Sequence, residues 1–320
     1  MEYGMDIQII TPGALTTIQD YGRIGYADIG FSPSGAVDTE AMELGNILVG
    51  NKLGEAVFEC TLFGPTIYFN RDNVIAITGA DMNPKINDQE IPLNQAVTVK
   101  AGETLVLGFA AKGCRSYIAF SGGLRVEECF GSKSTNLKCE IGGYNGRALK
   151  ANDELGFVNP VSKLTGMKQR FIEKSVGEVG KVRNVRVVLG PQDDYFTELG
   201  LHTFENEIYK LSNDSNRMAC KLVGPTIEGK QTMDIISDGI SLGAIQVSSN
   251  GLPIIMLSDR QTTGGYAKIA NVISIDIPVL AQCKPGDEIT FKVISLKEAQ
   301  KLYKKYVKTR NKFQNKMIRL

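Results

Sequence analysis

The sequence is poor in the residues that most often build catalytic and metal sites. Its 320 residues include one histidine, no tryptophan and no closely spaced cysteine pair. Any nucleophilic triad or multi-histidine metal site would depend on His202, which we interpret as a surface residue beside a helical stretch. Acid–base chemistry then falls on Asp, Glu, Lys or Tyr, and we predict no bound metal. The scattered cysteines predict buried thiols without a zinc site or a disulfide framework.

Long apolar runs and a strong charge imbalance are also missing. No stretch approaches the roughly 18 apolar residues of a membrane span, and the first ten residues carry Glu2 and Asp6 where a leader would be basic. The formal net charge is +1, with 42% hydrophobic and 22% charged residues. This composition is typical of a globular protein, and we expect a cytoplasmic chain that binds neither nucleic acid nor a membrane.

What the sequence does contain is a series of short, mostly alternating apolar runs. They are separated by Gly, Pro and Asn and predict strands in closed or sandwiched sheets, a mostly β fold with minor α content. The runs are Ile7–Ile10, Thr66–Phe69, Val74–Thr78, Ala96–Val99, Thr104–Phe109, Arg115–Phe120, Val185–Leu189, Ile254–Leu257 and Ile289–Val293. One helix is predicted from about Val37 to Val49, where apolar residues share one face and Gly50-Asn51 provides a stop.

Two segments of the first half recur in the second. Cys60–Ile67 (CTLFGPTI) matches Cys220–Ile227 (CKLVGPTI), and Lys100–Leu107 (KAGETLVL) matches Lys284–Phe291 (KPGDEITF) in the same order. Two echoes in the same order indicate an internal duplication. We therefore predict a first domain over residues 1–165, a linker over 166–181, a second domain over 182–294 and a basic C-terminal helix over 295–320.

The C-terminal segment is distinct in charge. Residues 295–320 hold nine Lys or Arg against one Glu, so they carry +8 and the rest of the chain about −7. Ser295 and Glu298 have the spacing of a capping box, and apolar residues recur at three- and four-residue steps. We interpret the segment as a solvated helical cover for the second domain, with an acidic partner, RNA or a membrane surface as the alternative ligands.

Polar residues that could carry chemistry cluster in a few places. Asp259–Tyr266, followed by Lys268, comes after an apolar strand and combines amide, hydroxyl and cationic groups with a Gly-Gly pair that admits close backbone approach. Gln19–Arg23 and Ser34–Asp38 are similarly polar, and the second precedes the predicted helix, where it could bind an anion or simply cap. We interpret Gly190–Asp194 as a cap.

One segment comes close to a phosphate-binding loop. Gly224–Gln231 has the G-x-x-x-x-G-K pattern but ends in Gln where a magnesium-binding hydroxyl belongs. We do not interpret it as a nucleotide site.

Taken in order, the polar segments resemble one family along nearly the whole chain, from Thr11 to about Leu302. The chain is similar to the C subunit of 5-oxoprolinase, a family also described as biotin-dependent carboxyltransferase, as allophanate hydrolase subunit 2 and as the antagonist of a sporulation-kinase inhibitor. The segments that carry the resemblance are Gln19–Arg23, Pro33–Asp38, Leu189–Asp194, Gly243–Val247 and Asp259–Tyr266. The tail beyond Leu302 matches no feature of this family.

The resemblance implies tandem cyclophilin-like β-barrel domains and a multi-subunit enzyme. In this family the chain resembles half of the carboxyltransferase region of urea carboxylase, the B subunit supplies the other half, and the A subunit completes a 5-oxoprolinase. That enzyme opens 5-oxoproline, a small lactam, to glutamate at the expense of ATP shared with the partner subunits. The chain would be inactive alone.

Residue roles are hypotheses placed on the matching segments. We assign charge stabilisation or acid–base work to Arg260, Lys268, Asp38 and Asp20. We expect substrate binding by Gln261, Thr262, Thr263, Gly264, Gly265, Tyr266, Ser34, Arg23 and Gln246.

Two other functions stay open. The first is carboxyl transfer from biotin to a urea-like or amide substrate. It would need a separate biotin carrier, since Gly166–Gln169 lacks the Met-Lys-Met context of a biotinyl lysine. The second is a non-catalytic regulator that sequesters a kinase-inhibiting partner.

Overall fold

A computed structural model describes residues 5–173 and 182–320. The described chain divides into two compact units: residues 5–24, 34–173 and 311–320 form the first, and residues 25–33 and 182–310 form the second. The linker predicted over residues 166–181 lies partly outside the described residues. The prediction of a mostly β chain with a C-terminal helix is confirmed.

The first unit contains two sheets and one longer helix. The helix is α1 (Thr39–Leu48), and a short 3₁₀ turn covers Met167–Gln169. The strands are β1 (Ile7–Thr11), β2 (Leu15–Gln19), β3 (Val57–Thr61), β4 (Thr66–Phe69), β5 (Asn73–Asp81), β6 (Lys85–Ile86), β7 (Gln89–Glu90), β8 (Ala96–Val99), β9 (Thr104–Val106), β10 (Lys112–Phe120), β11 (Leu124–Arg125) and β12 (Glu154–Phe157).

The strand order places the first unit's core between its sheets. One sheet runs β11-β12-β1-β4-β9-β6-β7 and the other β2-β3-β10-β5-β8. Strand β10 pairs antiparallel with both β3 and β5, which makes it the centre of the second sheet. Alternating side chains of these strands bury a continuous apolar cluster that includes Phe58, Phe120 and Phe157.

Helix α1 lies within the range that the sequence predicts, but its cap is Asp38 and not Ser34. Asp38 caps it, because its Oδ1 accepts a hydrogen bond of 2.9 Å from the Ala41 N–H. Gly50 follows the helix with a φ of +77°, a backbone conformation that favours glycine. The buried face of α1 packs on the second sheet together with Met317 from the end of the chain.

The second unit is built around a closed seven-stranded barrel. Its strand order is β13-β20-β17-β18-β15-β14-β21, and a separate two-stranded sheet pairs β16 with β19. The strands are β13 (Arg183–Leu189), β14 (Tyr209–Leu211), β15 (Ala219–Val223), β16 (Asp234–Gly239), β17 (Ala244–Val247), β18 (Pro253–Met256), β19 (Thr263–Tyr266), β20 (Lys268–Val272) and β21 (Glu288–Val293). Helices α2 (Glu198–Asn206) and α3 (Ile277–Ala281) and 3₁₀ turns at Ala27–Ile29, Asp193–Tyr195 and Ser274–Asp276 complete it.

The C-terminal helix α4 (Leu296–Ile318) begins at the predicted capping box, since the Glu298 N–H donates to Ser295 Oγ over 3.2 Å. Our interpretation of the whole segment as a cover for the second domain is wrong for its last ten residues. These belong to the first unit, where Phe313, Met317 and Leu320 pack on its apolar cluster and Arg170 donates to the Met317 carbonyl. Apolar burial at this end of the helix decides the packing.

The second pair of matching segments, Lys100–Leu107 and Lys284–Phe291, begins with the same turn in each unit. At Gly102 the N–H donates to the Phe69 carbonyl, and at Gly286 it donates to the Leu211 carbonyl, each over 2.8 Å. The φ angles of the two glycines are +89° and +90°. In both turns the carboxylate of the residue after the glycine accepts a hydrogen bond from the N–H of the lysine at the start of the turn. Glu103 accepts from Lys100, and Asp287 accepts from Lys284. This agreement supports a structural duplication.

Candidate functional site

The segment richest in predicted site residues is a strand, not the loop we expected. Thr263–Tyr266 forms β19 and pairs antiparallel with β16, so that Asp238 lies opposite Gly264. The sequence predicts that the Gly-Gly pair lets its backbone amides approach a ligand closely. Within the second unit its small size instead lets two other side chains approach the strand.

Those side chains are two glutamines. A Cβ built on Gly264 would lie 2.9 Å from Gln246 Nε2, 3.4 Å from Gln261 Nε2 and 2.6 Å from Ile240 Cδ1. Gln246 is buried and donates from Nε2 to the Tyr266 carbonyl over 3.3 Å. Two carboxamides therefore converge on one face of β19, and a side chain at Gly264 would displace Gln246 and Ile240.

Lys268 is a buried cation with an exposed counter-ion. Its Nζ lies 2.6 Å from Asp238 Oδ2, and the two side chains are 5% and 54% exposed. The hydrogen bond from Lys268 lowers the pKa of Asp238, with smaller contributions from the Gly239 N–H and the charge of Lys268. The pair thus keeps a positive charge beside β19 with its anion at the surface.

Gln192 joins this cluster from the turn after β13. Its Oε1 accepts from the Lys268 N–H over 3.2 Å, and its side chain also hydrogen-bonds Asp238. The interpretation of Gly190–Asp194 as a helix cap is wrong, because Thr197 caps the helix that follows, and Asp238 was missed altogether. Gln192 had a signal, its place in a family-matching segment, but Asp238 had none because its partner lies 30 residues away.

Arg260 holds backbone in place. Its Nε donates to the Ile240 carbonyl over 3.1 Å and its Nη1 to the Leu257 carbonyl over 3.3 Å. Burial lowers the pKa of this guanidinium. Of the remaining predicted residues in this segment, Thr262 accepts through its carbonyl from the Ile240 N–H, whereas the side chains of Gln261 and Thr263 are exposed.

In the first unit, Asp20 is a hydrogen-bonded anchor. Its carboxylate accepts from the Gly22 N–H, the Lys133 N–H and the hydroxyls of Ser132 and Ser134. These partners lie up to 114 residues away in the chain, so sequence reasoning missed the two serines. The arrangement fixes the Gln19–Arg23 segment on the loop that contains them.

Arg23 contacts the same loop. Its side chain is buried and donates to the carbonyls of Cys129 and Ser134. Next to it a cavity of about 450 Å³ is lined partly by Cys129 and Gly142, both of which lie against Arg23. The Arg23 cation therefore lies beside a space large enough for a small molecule.

Ser34 has an unusual conformation for its residue type. Its φ is +58°, its side chain is buried, and its hydroxyl has no hydrogen-bond partner among the described residues. The Ala36 N–H donates to the Asp20 carbonyl over 2.9 Å, which brings the Ser34 and Asp20 segments together. A strained residue with an unsatisfied buried hydroxyl is typical of a functional position.

The loop before α1 is held by a buried network that sequence reasoning missed. Tyr117 donates to Glu59 Oε2 over 2.8 Å and accepts from the Asp38 N–H over 2.8 Å. The Val37 N–H also donates to Glu59 Oε2. Burial and the charges of Glu59 and Asp38 raise the pKa of Tyr117, so its hydroxyl stays protonated. The sequence feature that could have indicated this network is Glu59, a carboxylate in the mostly apolar strand β3.

The prediction of a surface histidine is confirmed, and that of buried thiols is confirmed for four of the six cysteines. His202 lies exposed on α2. No disulfide joins the cysteines, all of which fall in the described ranges, but two of them are not buried: Cys129 is partly exposed and Cys139 exposed. Burial raises the pKa of the Cys60 thiol to about 12.

The chain is similar along most of its length to two kinds of known protein. The chain is 36% identical over 295 residues to the 5-oxoprolinase C subunit of Escherichia coli, covering 92% of this chain and 93% of that protein. It is 36% identical over 312 residues to urea amidolyase of Saccharomyces cerevisiae, covering 92% of this chain and 17% of that protein. The crystal structure of the K. lactis urea amidolyase matches with a TM-score of 0.89 at 31% identity, over 98% of this chain and 20% of that one.

The closed barrel, the two sheets of the first unit and the similarity to these proteins together define a mostly β protein of the carboxyltransferase type. The chain belongs to the family described as carboxyltransferase domain, subdomain A and B, whose sequence model matches residues 29–293. The resemblance to the 5-oxoprolinase C subunit is confirmed. Within the described residues, no helix has both the length and the apolar character needed to cross a membrane.

Proposed function

We propose that this chain is the lactam-binding subunit of a cytoplasmic, ATP-dependent 5-oxoprolinase. It would act with the companion A and B subunits to hydrolyse 5-oxoproline to glutamate and would be inactive alone. Similarity to the 5-oxoprolinase C subunit over 92% of the chain supports this function. The structural observation that carries it is the convergence of Gln246 and Gln261 on Gly264, opposite the Asp238–Lys268 pair.

The chemistry of these groups suits a small lactam. A lactam offers one N–H donor and one carbonyl acceptor, and the carboxamides of Gln246 and Gln261 offer the complementary groups. Lys268 would stabilise negative charge on the substrate carboxylate or on the oxygen that develops during ring opening. Arg260 would hold the backbone of this region through its carbonyl contacts and add positive charge.

The first-unit residues have separate proposed roles. The buried, unsatisfied hydroxyl of Ser34 would donate to substrate, and Arg23 would contribute positive charge next to its cavity. Asp20 and Asp38 accept hydrogen bonds from the protein, which supports a role in positioning these loops. Thr263, Gly265 and Tyr266 of β19, together with Thr262 just before it, would shape the substrate site.

ATP binding is proposed for one of the companion subunits. Among the described residues, Gly224–Gln231 forms bends and an isolated bridge, not a strand leading into a helix, so it does not fit a phosphate-binding loop. ATP would supply the phosphoryl group that makes the amide electrophilic. The residues of this chain would bind the lactam, orient it and hold its developing charge.

Reconstitution tests the proposal. The chain is purified with the A and B subunits, and 5-oxoproline-dependent ADP release is followed with each component omitted in turn. We expect release only with all three present, and a Lys268→Met variant about a hundredfold slower. The exposed Lys292 provides a matched Lys→Met control. Full activity without this chain would contradict the proposal.

Carboxyl transfer from biotin on a separate carrier is the second candidate. It is favoured by the family description and by the similarity to urea amidolyase. Bicarbonate-dependent carboxylation of a urea-like substrate, without ADP release driven by 5-oxoproline, would establish it. If a Lys268→Met variant still sequesters a kinase-inhibiting partner, the result would instead favour the non-catalytic regulator.

A further inference from the structure

Helix α4 and the residue that follows it carry their positive charge on one face. At about 100° per residue, eight of the nine cations fall within an arc of about 120°. They are Lys297, Lys301, Lys304, Lys305, Lys308, Lys312, Lys316 and Arg319. All eight side chains are exposed, and none forms an ion pair with a carboxylate in the described ranges. The charged face is therefore open to a partner.

This arrangement is unfavourable in the isolated protein. Five pairs of these lysines stand four residues apart, and each like-charge pair of this kind destabilises a helix by about 0.2–0.5 kcal/mol. The first pair is Lys297 with Lys301 and the last is Lys312 with Lys316. Because the rest of the chain has a net charge of about −7, the positive charge is a local property of this helix. An anionic partner would relieve the repulsion.

A mainly apolar cleft borders this face in the second unit. It has a volume of about 680 Å³ and lies between α4 and the ends of β13 and β20. Its lining includes Leu189, Leu296, Tyr303 and Lys304. The first three are unusually exposed for large apolar side chains, at 39%, 61% and 49%. Lys304 belongs to both the cleft and the charged face.

Two polar side chains of the cleft, Ser241 and Asn271, hydrogen-bond within the protein. Ser241 Oγ donates to Asn271 Oδ1 over 2.6 Å, and Asn271 Nδ2 donates to the carbonyls of Leu242 and Val272. A small polar ligand would find few unsatisfied partners here. An apolar side chain would gain by leaving water.

We propose that this part of the second unit is a docking surface for an acidic, amphipathic segment of a partner protein. The surface consists of Leu189, Leu296, Tyr303 and Lys304, which line the cleft, and of Lys297, Lys301 and Lys308 on the charged face of α4 that Lys304 joins to it. Apolar side chains of the segment fill the cleft while its carboxylates face the lysines. This combination of an apolar anchor with a charged rim is common at protein interfaces.

Two other polyanions fit less well. Single-stranded nucleic acid is bound through several stacked aromatic side chains and arginine, whereas seven of the eight cations on the charged face are lysines and Tyr303 is the one aromatic residue that lines the cleft. A membrane-surface helix inserts its own apolar face, but in the last turns of α4 that face is engaged, with Met317 buried and Phe313 packed on the first unit's core.

Binding of a defined peptide tests the docking surface without depending on the enzymatic proposal. The probe is a fluorescently labelled 18-residue peptide with glutamates on one helical face and leucines on the other, measured with the full chain by anisotropy. We expect a fourfold Lys→Glu variant at positions 297, 301, 304 and 308 to bind at least about tenfold more weakly. The matched control reverses the exposed Lys100, Lys112, Lys221 and Lys292, and should change binding less than about threefold.

The cleft is tested separately. Replacing both Leu296 and Tyr303 by Asn, or the leucines of the peptide by serine, should also weaken binding at least about fivefold. Because all the changed side chains are exposed, melting temperatures should stay near that of the parent chain. Equal losses in the two lysine variants would overturn the proposal, as would an unchanged affinity of the serine peptide. Tighter lysine-dependent binding of a uridine oligonucleotide or of phosphatidylserine vesicles would overturn it as well.

Discussion

Lys268 and Asp238 form a 2.6 Å ion pair in which the cation is buried and the carboxylate is half exposed. The Asp238 carboxylate also hydrogen-bonds Gln192, so the ion pair lies beside the turn that follows β13. An Asp238→Asn variant leaves the cation without its counter-ion, so the side chain is free to turn toward water. We expect 5-oxoproline-dependent ADP release to fall roughly tenfold to a hundredfold.

The exposed Asp234 provides the control for that change, since it lies on the same strand and contacts Thr232 instead of a lysine. Its Asp→Asn variant should retain near-normal activity. Equal activity of the two variants would show that the ion pair has no part in the reaction.

Gly264 gives a steric test of the carboxamide cluster. A Gly264→Ala methyl would meet Ile240 and Gln246 at distances below 3 Å, so these side chains must shift. We expect a stability loss of about 1–3 kcal/mol and a higher KM for 5-oxoproline. The control is Gly239→Ala on the paired strand, where an added Cβ meets no atom within 4 Å. Urea denaturation and steady-state kinetics measure the two effects.

Tyr117 tests the network below the Ser34 loop. A Tyr117→Phe variant leaves Glu59 and the Asp38 N–H each without one buried hydrogen bond. We expect unfolding free energy to fall by about 1–3 kcal/mol in urea denaturation. Tyr68→Phe is the matched change in the same unit, because the half-buried Tyr68 hydroxyl has no hydrogen bond among the described residues. A similar loss in both would contradict a specific role for the network.

Gly286, in the turn that both units share, allows the cost of backbone strain to be measured without a change in packing. Gly286 has a φ of +90° with no atom within 4 Å of an added Cβ, so Gly286→Ala introduces only backbone strain. We expect a cost of about 1–2 kcal/mol. Residues 150–153 form a third copy of the turn, in which the Lys150 N–H donates to the Asp153 carboxylate and the Asn152 N–H to the Ile9 carbonyl, and Asn152 has a φ of +68°. Gly286→Asn should therefore cost less than Gly286→Ala in thermal or urea unfolding.

That third turn also predicts a pH effect. Burial raises the pKa of Asp153, but hydrogen bonds from Arg147 and the Lys150 N–H outweigh it, so the folded-state pKa lies below its ordinary value of 3.8. The ion pair therefore stabilises the fold above about pH 4, and this stability is lost as the pH falls through the folded-state pKa. Arg147→Gln should cost about 1–2 kcal/mol at pH 6 and progressively less below pH 4. A difference independent of pH would contradict this assignment.

Local patterns in the sequence determined much of the secondary structure. All nine predicted strands and α1 occur within a few residues of their expected bounds, because alternation and helical spacing are properties of neighbouring residues. The capping box at Ser295 and the turn shared by Gly102 and Gly286 were readable for the same reason. The family was also evident from its motifs.

Only the tertiary structure decided which polar groups meet. Asp238 reaches Lys268 across 30 residues, and Asp20 binds Ser134 across 114. No periodic pattern encodes such pairs, since they depend on how strands and turns pack. Strand β19 illustrates the same limit: its Gly-Gly pair is typical of a loop, yet pairing with β16 makes it a strand. Chain-end packing likewise placed Met317 on the first unit's core, where apolar burial outweighed the expectation from sequence order.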